Sequence, residues 1–284
     1  MRDEMDVDVH TSGAASFLAA IGRAISAINA GEALQVVLSR PLAIESDAEP
    51  IEVYRTLCAI NPSPYMFILE LGWGALLGSS PEMLVRLEGR RAIVRPLAGT
   101  AMRAGTDAED ARFATRLRRD PKERAEHIML VDLGRNDLAR VCEPGSVRVA
   151  PFMDVERYSH VMHLVSQVEG KLAPVHDAFD LFGAAFPAGT VSGAPKVRAL
   201  ELIAEAEQER RGFYAGAVLR AGFDGDIDSC ITLRSMHAYK GAYHLRAGAG
   251  VVAASDPHAE DAECGHKLGA CVAALRLARV GVPA

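Results

Sequence analysis

Asp120-Pro121-Lys122-Glu123-Arg124-Ala125-Glu126-His127-Ile128-Met129-Leu130-Val131-Asp132-Leu133-Gly134-Arg135-Asn136-Asp137 is the stretch on which the reading of this 284-residue chain turns. Asp followed by Pro starts a helix: the Asp side chain caps the first free N–H groups, and Pro at the first helical position lacks an N–H that would be orphaned anyway. Glu123 and Glu126 stand three residues apart, which puts both carboxylates on one helix face. The pattern recurs as Glu260-Asp261-Ala262-Glu263, after the glycine-rich Ala247-Gly248-Ala249-Gly250-Val251-Val252, which reads as a turn. Two such helices facing each other would gather four carboxylates, the hard oxygen donors that Mg²⁺ takes. Glutamate pairs on helices are more often solvated surface, and Lys122 and Arg124 beside Glu123 suit that plainer reading. The surrounding sequence decides between the two.

The chain has enough apolar material for a sizeable core, with 49% hydrophobic and 24% charged residues. A net charge of −6 argues against a nucleic-acid binder, which would show a basic patch. No run of about 18 apolar residues offers a membrane span. The acidic start, Met1-Arg2-Asp3-Glu4-Met5-Asp6, is unlike a secretory signal. The five cysteines, 58, 142, 230, 264 and 271, are scattered and odd in number, which disfavours a disulfide frame or a zinc site. Cytoplasmic location is the default expectation.

Residues 1–13 read as a disordered tail and 14–284 as one catalytic domain without an internal linker. Residues 16–30 have helical spacing of Phe17, Leu18, Ile21, Ile25 and Ile28. Strands are expected at 33–38, 66–71, 83–87 and 91–94, and residues 107–134 are expected to be helical with a break at Asp120-Pro121. Helices follow at 178–186 and 195–206, a strand meander at 214–223, 228–237 and 242–249, and a closing helix at 258–280. Antiparallel runs with grouped helices indicate an α+β fold.

These stretches resemble the chorismate-utilising enzymes, and most closely the large subunits of anthranilate synthases. The resemblance runs from about Ile25 to Ala274. It rests on blocks in the same order: Gln35-Val36-Val37-Leu38-Ser39-Arg40, Ser80-Pro81-Glu82, Arg95-Pro96-Leu97-Ala98-Gly99-Thr100, the Asp120 stretch, Val161-Met162-His163-Leu164-Val165-Ser166, Phe186-Pro187-Ala188-Gly189-Thr190-Val191-Ser192-Gly193-Ala194-Pro195-Lys196, Tyr214-Ala215-Gly216, Asp228-Ser229-Cys230-Ile231-Thr232-Leu233-Arg234 and the glycine segment. It implies the family's αββα sandwich, two antiparallel sheets with outer helices, and a Mg²⁺-dependent site for chorismate. Members of the family usually carry a further segment before the Ile25 region, and a match to it is missing here. Asn61-Pro62-Ser63-Pro64-Tyr65-Met66 matches one wall of the family's tryptophan inhibitor site.

The roles that follow are implied by the resemblance. Glu126 and Glu263 would bind Mg²⁺, with Glu260 acting through water or by supporting the direct ligands. Glu123 would be the general acid for the leaving C4 hydroxyl, a role that suits a carboxylic acid held protonated by burial. His163 would assist pyruvate loss; its plainer reading is a satisfied core histidine. Arg234, with its bidentate fork, and Tyr214 would hold the enolpyruvyl carboxylate. Gly248, Ala249 and Gly250 would offer backbone N–H groups to the ring carboxylate. Thr100 and Thr190 would supply hydroxyls, and Lys196 would attract the dianion or be solvated. Isochorismate synthases carry a lysine where Gln35 stands, to activate water, and aminodeoxychorismate synthases carry a nucleophilic lysine where Ala98 stands. Gln35 with Ala98 implies attack by ammonia, which needs no base. The ammonia would come from a separate glutamine amidotransferase subunit. Two other readings stay open: an aminating enzyme that retains the enolpyruvyl group, as 2-amino-2-deoxyisochorismate synthases do, and a non-catalytic paralogue that binds chorismate or a partner.

Overall fold

The computed structural model describes residues 14–103, 106–157 and 161–280. From the amino terminus these form α1 (Ala14–Asn29), β1 (Gln35–Glu45), α2 (Pro50–Ile60), β2 (Tyr65–Glu70), β3 (Ala75–Ser80), β4 (Met83–Glu88), β5 (Arg91–Val94) and β6 (Leu97–Met102). Next come α3 (Asp107–Arg119), α4 (Pro121–Ala139), β7 (Arg148–Val149), β8 (Asp154–Arg157), β9 (Val161–Val165), β10 (Val168–Lys171), α5 (Ala178–Ala185), α6 (Gly189–Ser192) and β11 (Gly193–Ala194). The chain ends with α7 (Lys196–Glu207), β12 (Ala217–Ala221), β13 (Ile227–Ile231), β14 (Ser235–Tyr239), β15 (Ala242–Val251) and α8 (Pro257–Val280). The expected residue 1–13 tail lies outside the described residues.

Two compact units divide the chain, and neither is continuous in sequence. The first takes Met1–Pro81, Thr190–Ala217 and Ile231–Ala284; the second takes Glu82–Gly189 and Val218–Cys230. Within the first, six strands pair in the order β11-β1-β15-β14-β3-β2. The long β1–β15 ladder is antiparallel, from Val36↔Val251 to Glu45↔Ala242. Val36, Leu38, Leu42 and Ile44 alternate along β1 toward one core, where they meet Phe17, Ile21 and Ile28 of α1, Val53 and Leu57 of α2, and Leu268 and Leu275 of α8. Pro41 interrupts β1 without breaking it. Its partner is Arg246, and β11 pairs β1 only at Gln35 and Val36, so the missing N–H costs no ladder bond.

The second unit holds the order β12-β13-β4-β5-β10-β7 and a separate three-stranded sheet, β6-β9-β8. The α+β class holds, and the described sheets number three where the resemblance led one to expect two. The Asp120 carboxylate accepts from the Lys122 and Glu123 backbone N–H groups at 2.9 and 3.2 Å, as the helix-start reading requires. α3 packs Ala114 and Leu117 on Met162 and Leu164 of β9.

Four expectations change. α2, β3, β6, β7, β8 and β10, and the short α6 and β11, were not foreseen in the sequence. Residues 228–237 form two strands, not one, because Arg234 takes φ 46° between β13 and β14. Tyr214 precedes β12 in a turn segment rather than lying on a strand. The glycine segment is the interior of β15, not a turn.

Candidate active site

In the second unit, Glu123, Gly99 and His163 come together. β6 and β9 pair with a register shift between Ala98 and Thr100, so Gly99 is a bulge, and its φ of 70° is one that glycine adopts without strain. A Cβ there would come within 2.9 Å of Glu123 Oε2, so the glycine also makes room for that carboxylate. His163, 8% exposed, has its Nδ1 3.0 Å from the Gly99 carbonyl. A carbonyl only accepts, so Nδ1 carries the hydrogen in this contact, and in the neutral ring Nε2 is then the basic nitrogen. Thr100 is paired with His163 in the ladder, but its side chain lies outside what the structure describes. Ala98, opposite Leu164, is a buried methyl group with no nucleophile to offer.

Glu126 is half-buried on the same α4 face as Glu123. Beside it, His127 is fully buried, with Nε2 2.6 Å from Ser166 Oγ, which also accepts from Met153 N–H at 2.9 Å. Burial lowers the His127 pKa to about 4, so this ring is a neutral tie between α4 and the end of β9. No local pattern signals that tie, because Ser166 is 39 residues away.

In the first unit, Tyr214 is 8% exposed, and burial raises its pKa, keeping the phenol a proton donor. Its hydroxyl lies 2.5 Å from where a Cβ on residue 248 would stand; Leu38 O lies 2.7 Å from that point. Gly248 therefore serves close approach. Gly250 does likewise, since a Cβ there would sit 2.5 Å from Gln35 Nε2.

The direction of the β15 edge follows from two bonds. Lys267 Nζ donates to Gly248 O at 2.8 Å, and Ser39 N–H, opposite Gly248, donates to Glu207 Oε1 at 2.8 Å. Ser39 and Gly248 are thus a pair not bonded to each other, so the Gly248 N–H points away from β1, and by alternation so does that of Gly250. β14 covers β15 only as far as Leu245. Ala249 is the correction: its N–H faces Leu38 of β1, so it does not join the two glycines as a donor to that edge.

Gln35, 4% exposed, opens β1, and its Oε1 has no hydrogen-bond partner among the described residues. Thr190 Oγ1 in α6 is likewise buried and unsatisfied there. Arg234 sits in the break between β13 and β14, where its carbonyl accepts from Ser79 N–H at 3.1 Å. Lys196 is the half-buried first residue of α7, following Pro195.

Glu260 and Glu263 share a face of α8, and Glu263 is paired with Lys267 at 2.7 Å. Lys267, which the sequence reading did not single out, therefore links the helix carboxylate to the β15 edge. Among the described residues no group of three or more His, Cys, Asp or Glu is drawn together as a metal cage. Paired glutamates still suit Mg²⁺, which commonly takes one or two carboxylates and fills its shell with water and ligand oxygens.

The sequence pattern of the family described as chorismate binding enzyme matches residues 5–273. The chain belongs to this family. It is 56% identical over 265 residues to the anthranilate synthase component 1 of Streptomyces coelicolor, an alignment covering 93% of this chain and 52% of that protein. The Thermus thermophilus anthranilate synthase component 1 is 48% identical over 267 residues, covering 94% and 58%. The chain thus spans about half the length of these relatives. Among solved structures, anthranilate synthase component I from Streptococcus pneumoniae superposes with a TM-score of 0.86 at 40% identity, covering 91% of this chain and 57% of that one. The menaquinone-specific isochorismate synthase MenF from Escherichia coli gives 0.84 at 27%, covering 93% and 61%. Among the described residues no helix is long and apolar enough to cross a membrane.

Proposed function

We propose that this chain carries the chemistry of an anthranilate synthase component 1: ammonia adds to chorismate, the C4 hydroxyl leaves as water, and pyruvate is eliminated to give anthranilate for tryptophan biosynthesis. The catalytic domain covers residues 14–284, and ammonia comes from a glutamine amidotransferase subunit. The observation that carries the reading is Gln35. It is a buried, neutral amide whose acceptor oxygen is unsatisfied among the described residues, at the position where water-using relatives place a lysine. An amide is no base, so water is a poor nucleophile beside it, whereas ammonia brings its own lone pair and N–H groups for Oε1.

Glu126 and Glu263 would hold Mg²⁺, with Glu260 through water; the ion would neutralise carboxylate charge on the substrate. Tyr214 and Arg234 bind the enolpyruvyl carboxylate, and the outward N–H groups of Gly248 and Gly250 take the ring carboxylate. Lys196 adds positive charge, and Thr100 and Thr190 add hydroxyls. Glu123 donates its proton to the departing C4 hydroxyl. His163, its Nδ1–H held by Gly99, takes the C2 proton at Nε2 as the ring becomes aromatic and pyruvate departs. The sum balances as chorismate plus ammonia giving anthranilate, pyruvate and water.

The test withholds ammonium. Chain, chorismate and Mg²⁺ alone should form no isochorismate, and Gln35→Lys should begin to form it. Isochorismate from the unaltered chain at a rate matching its amination rate would replace this reading with that of an isochorismate synthase.

A further inference from the structure

Glu207, the last residue of α7, is an acid where a helix favours a base, because the free carbonyls of the last turn already make that end negative. Its side chain is nevertheless only 4% exposed. It is held from three directions. Ser39 donates from N–H at 2.8 Å and Oγ at 2.9 Å. Arg211 forks onto both carboxylate oxygens at 2.8 and 2.6 Å. Arg246, also buried, approaches at 3.4 Å and donates to Ser39 Oγ at 2.8 Å.

Arg211 in turn donates to Val37 O and Val191 O, and its guanidinium lies 5.6 Å from the centre of the Tyr214 ring. Ser39 and Arg246 lie on the sheet face opposite the apolar core, and Ser39 is the ladder partner of Gly248, against which the Tyr214 hydroxyl stands. One carboxylate thus fixes two guanidiniums, two strands and the loop that carries Tyr214. A buried acid at this unfavourable position is explained by what it holds.

We propose that Glu207, acting through Arg211 and Arg246, is the positioning residue that sets the Tyr214 hydroxyl over the Gly248 edge of β15. The proposal rests on the reading that this edge and Tyr214 receive the carboxylates of chorismate. The two arginines face Glu207 between them, and Arg246 also has the exposed Glu209 at 3.9 Å. Losing Glu207 leaves two like-charged guanidiniums to push Arg211 off the Tyr214 ring, and losing Arg246 as well removes that repulsion while Val37 O and Val191 O still hold Arg211.

The groups that act on Tyr214 are Arg211, Cys264, Glu207 and Arg246; Glu207 disfavours the phenolate and the arginines favour it. The experiment compares the full chain with Glu207→Gln and Glu207→Gln/Arg246→Gln. It reads KM and kcat for chorismate with Mg²⁺ and ammonium, and the ionisation of Tyr214 by tyrosinate absorbance against Tyr214→Phe.

Glu207→Gln should raise KM about tenfold with kcat within threefold, the mark of lost uniform binding, and should move Tyr214 ionisation to lower pH. The double variant should return KM to within threefold of the unaltered chain. A merely structural role predicts the opposite order, with the double variant worse than the single. If Glu207→Gln does not fold, Ser39→Ala removes one donor to Glu207 and one acceptor of Arg246, and should shift both readouts in the same directions by about threefold. An unchanged KM, an unchanged Tyr214 ionisation, or a double variant worse than the single overturns the proposal. If the unaltered chain does not turn over chorismate, the functional reading fails on its own, and a crystal structure of Glu207→Gln still decides the positioning claim: Tyr214 Oη displaced from Gly248 supports it, and Tyr214 Oη unmoved overturns it.

Discussion

Replacing Gly248 with alanine tests the closest contact in the proposed site. The added Cβ would stand 2.5 Å from Tyr214 Oη, 2.7 Å from Leu38 O and 3.1 Å from Ser39 Cβ. Carbon contacts settle near about 3.5–4.0 Å, so the first two are overlaps of roughly an ångström. Leu38 O belongs to the long β1–β15 ladder and cannot move without shifting the strand. The Tyr214 ring can move only by disturbing its contact with Arg211. Overpacking of this kind costs about 1–3 kcal/mol, and Gly248→Ala should lie in that range by urea denaturation.

Tyr214→Phe removes the nearer obstacle and leaves the carbonyl. In that background the cost of Gly248→Ala should fall by about 1 kcal/mol, within the range measured for residues in contact. Two results would refute the reasoning. One is a Gly248→Ala cost below about 0.5 kcal/mol, no more than an ordinary surface change. The other is a cycle additive within about 0.3–0.5 kcal/mol, which is how independent sites behave.

Glu126→Gln and Glu263→Gln should each abolish Mg²⁺-dependent turnover while the far-UV spectrum is retained, and full activity in excess chelator would remove the metal role. Glu123→Gln should leave chorismate affinity nearly unchanged and lower the rate by about 10²–10⁴-fold, the usual worth of general acid catalysis; a loss under threefold would exclude Glu123. Glu169 is paired with Arg148 at 2.6 Å and Arg91 at 2.5 Å, and their hydrogen bonds lower its pKa from 4.5. Its stabilising contribution is therefore complete above about pH 4.5 and disappears as pH falls through the lower folded value. The stability gap between the unaltered chain and Glu169→Gln should narrow on acidification below pH 4.5, and a gap constant from pH 7 to 3 would contradict the assignment.

Local chemistry was legible where it decides the structure locally. Asp120-Pro121 starts α4 as read, and the spacing of Phe17, Ile21 and Ile28 finds the buried face of α1. Long-range pairing was not legible. Gly248 and Gly250 read as a turn because glycine marks turns, yet ten ladder pairs hold that segment extended along β1. Their smallness serves Tyr214 and Gln35, residues 34 or more positions away. The break at Arg234 was hidden because Ile231 and Leu233 continue an apolar strand pattern across it. Glu123 and His163 were found through the resemblance, but the Gly99 bulge that joins them depends on strand register, which no single-residue property encodes. The Glu207 cluster joins residues 168 and 39 positions apart and left no trace in the sequence.

The central claim is that the chain aminates chorismate and completes the reaction to an aromatic product. The most direct measurement incubates it with chorismate, Mg²⁺ and ammonium at alkaline pH and follows anthranilate fluorescence together with pyruvate release. Equal amounts of anthranilate and pyruvate, formed only when ammonium is present, are the expected result. An aminated product that keeps its enolpyruvyl group, with no pyruvate released, would contradict the account.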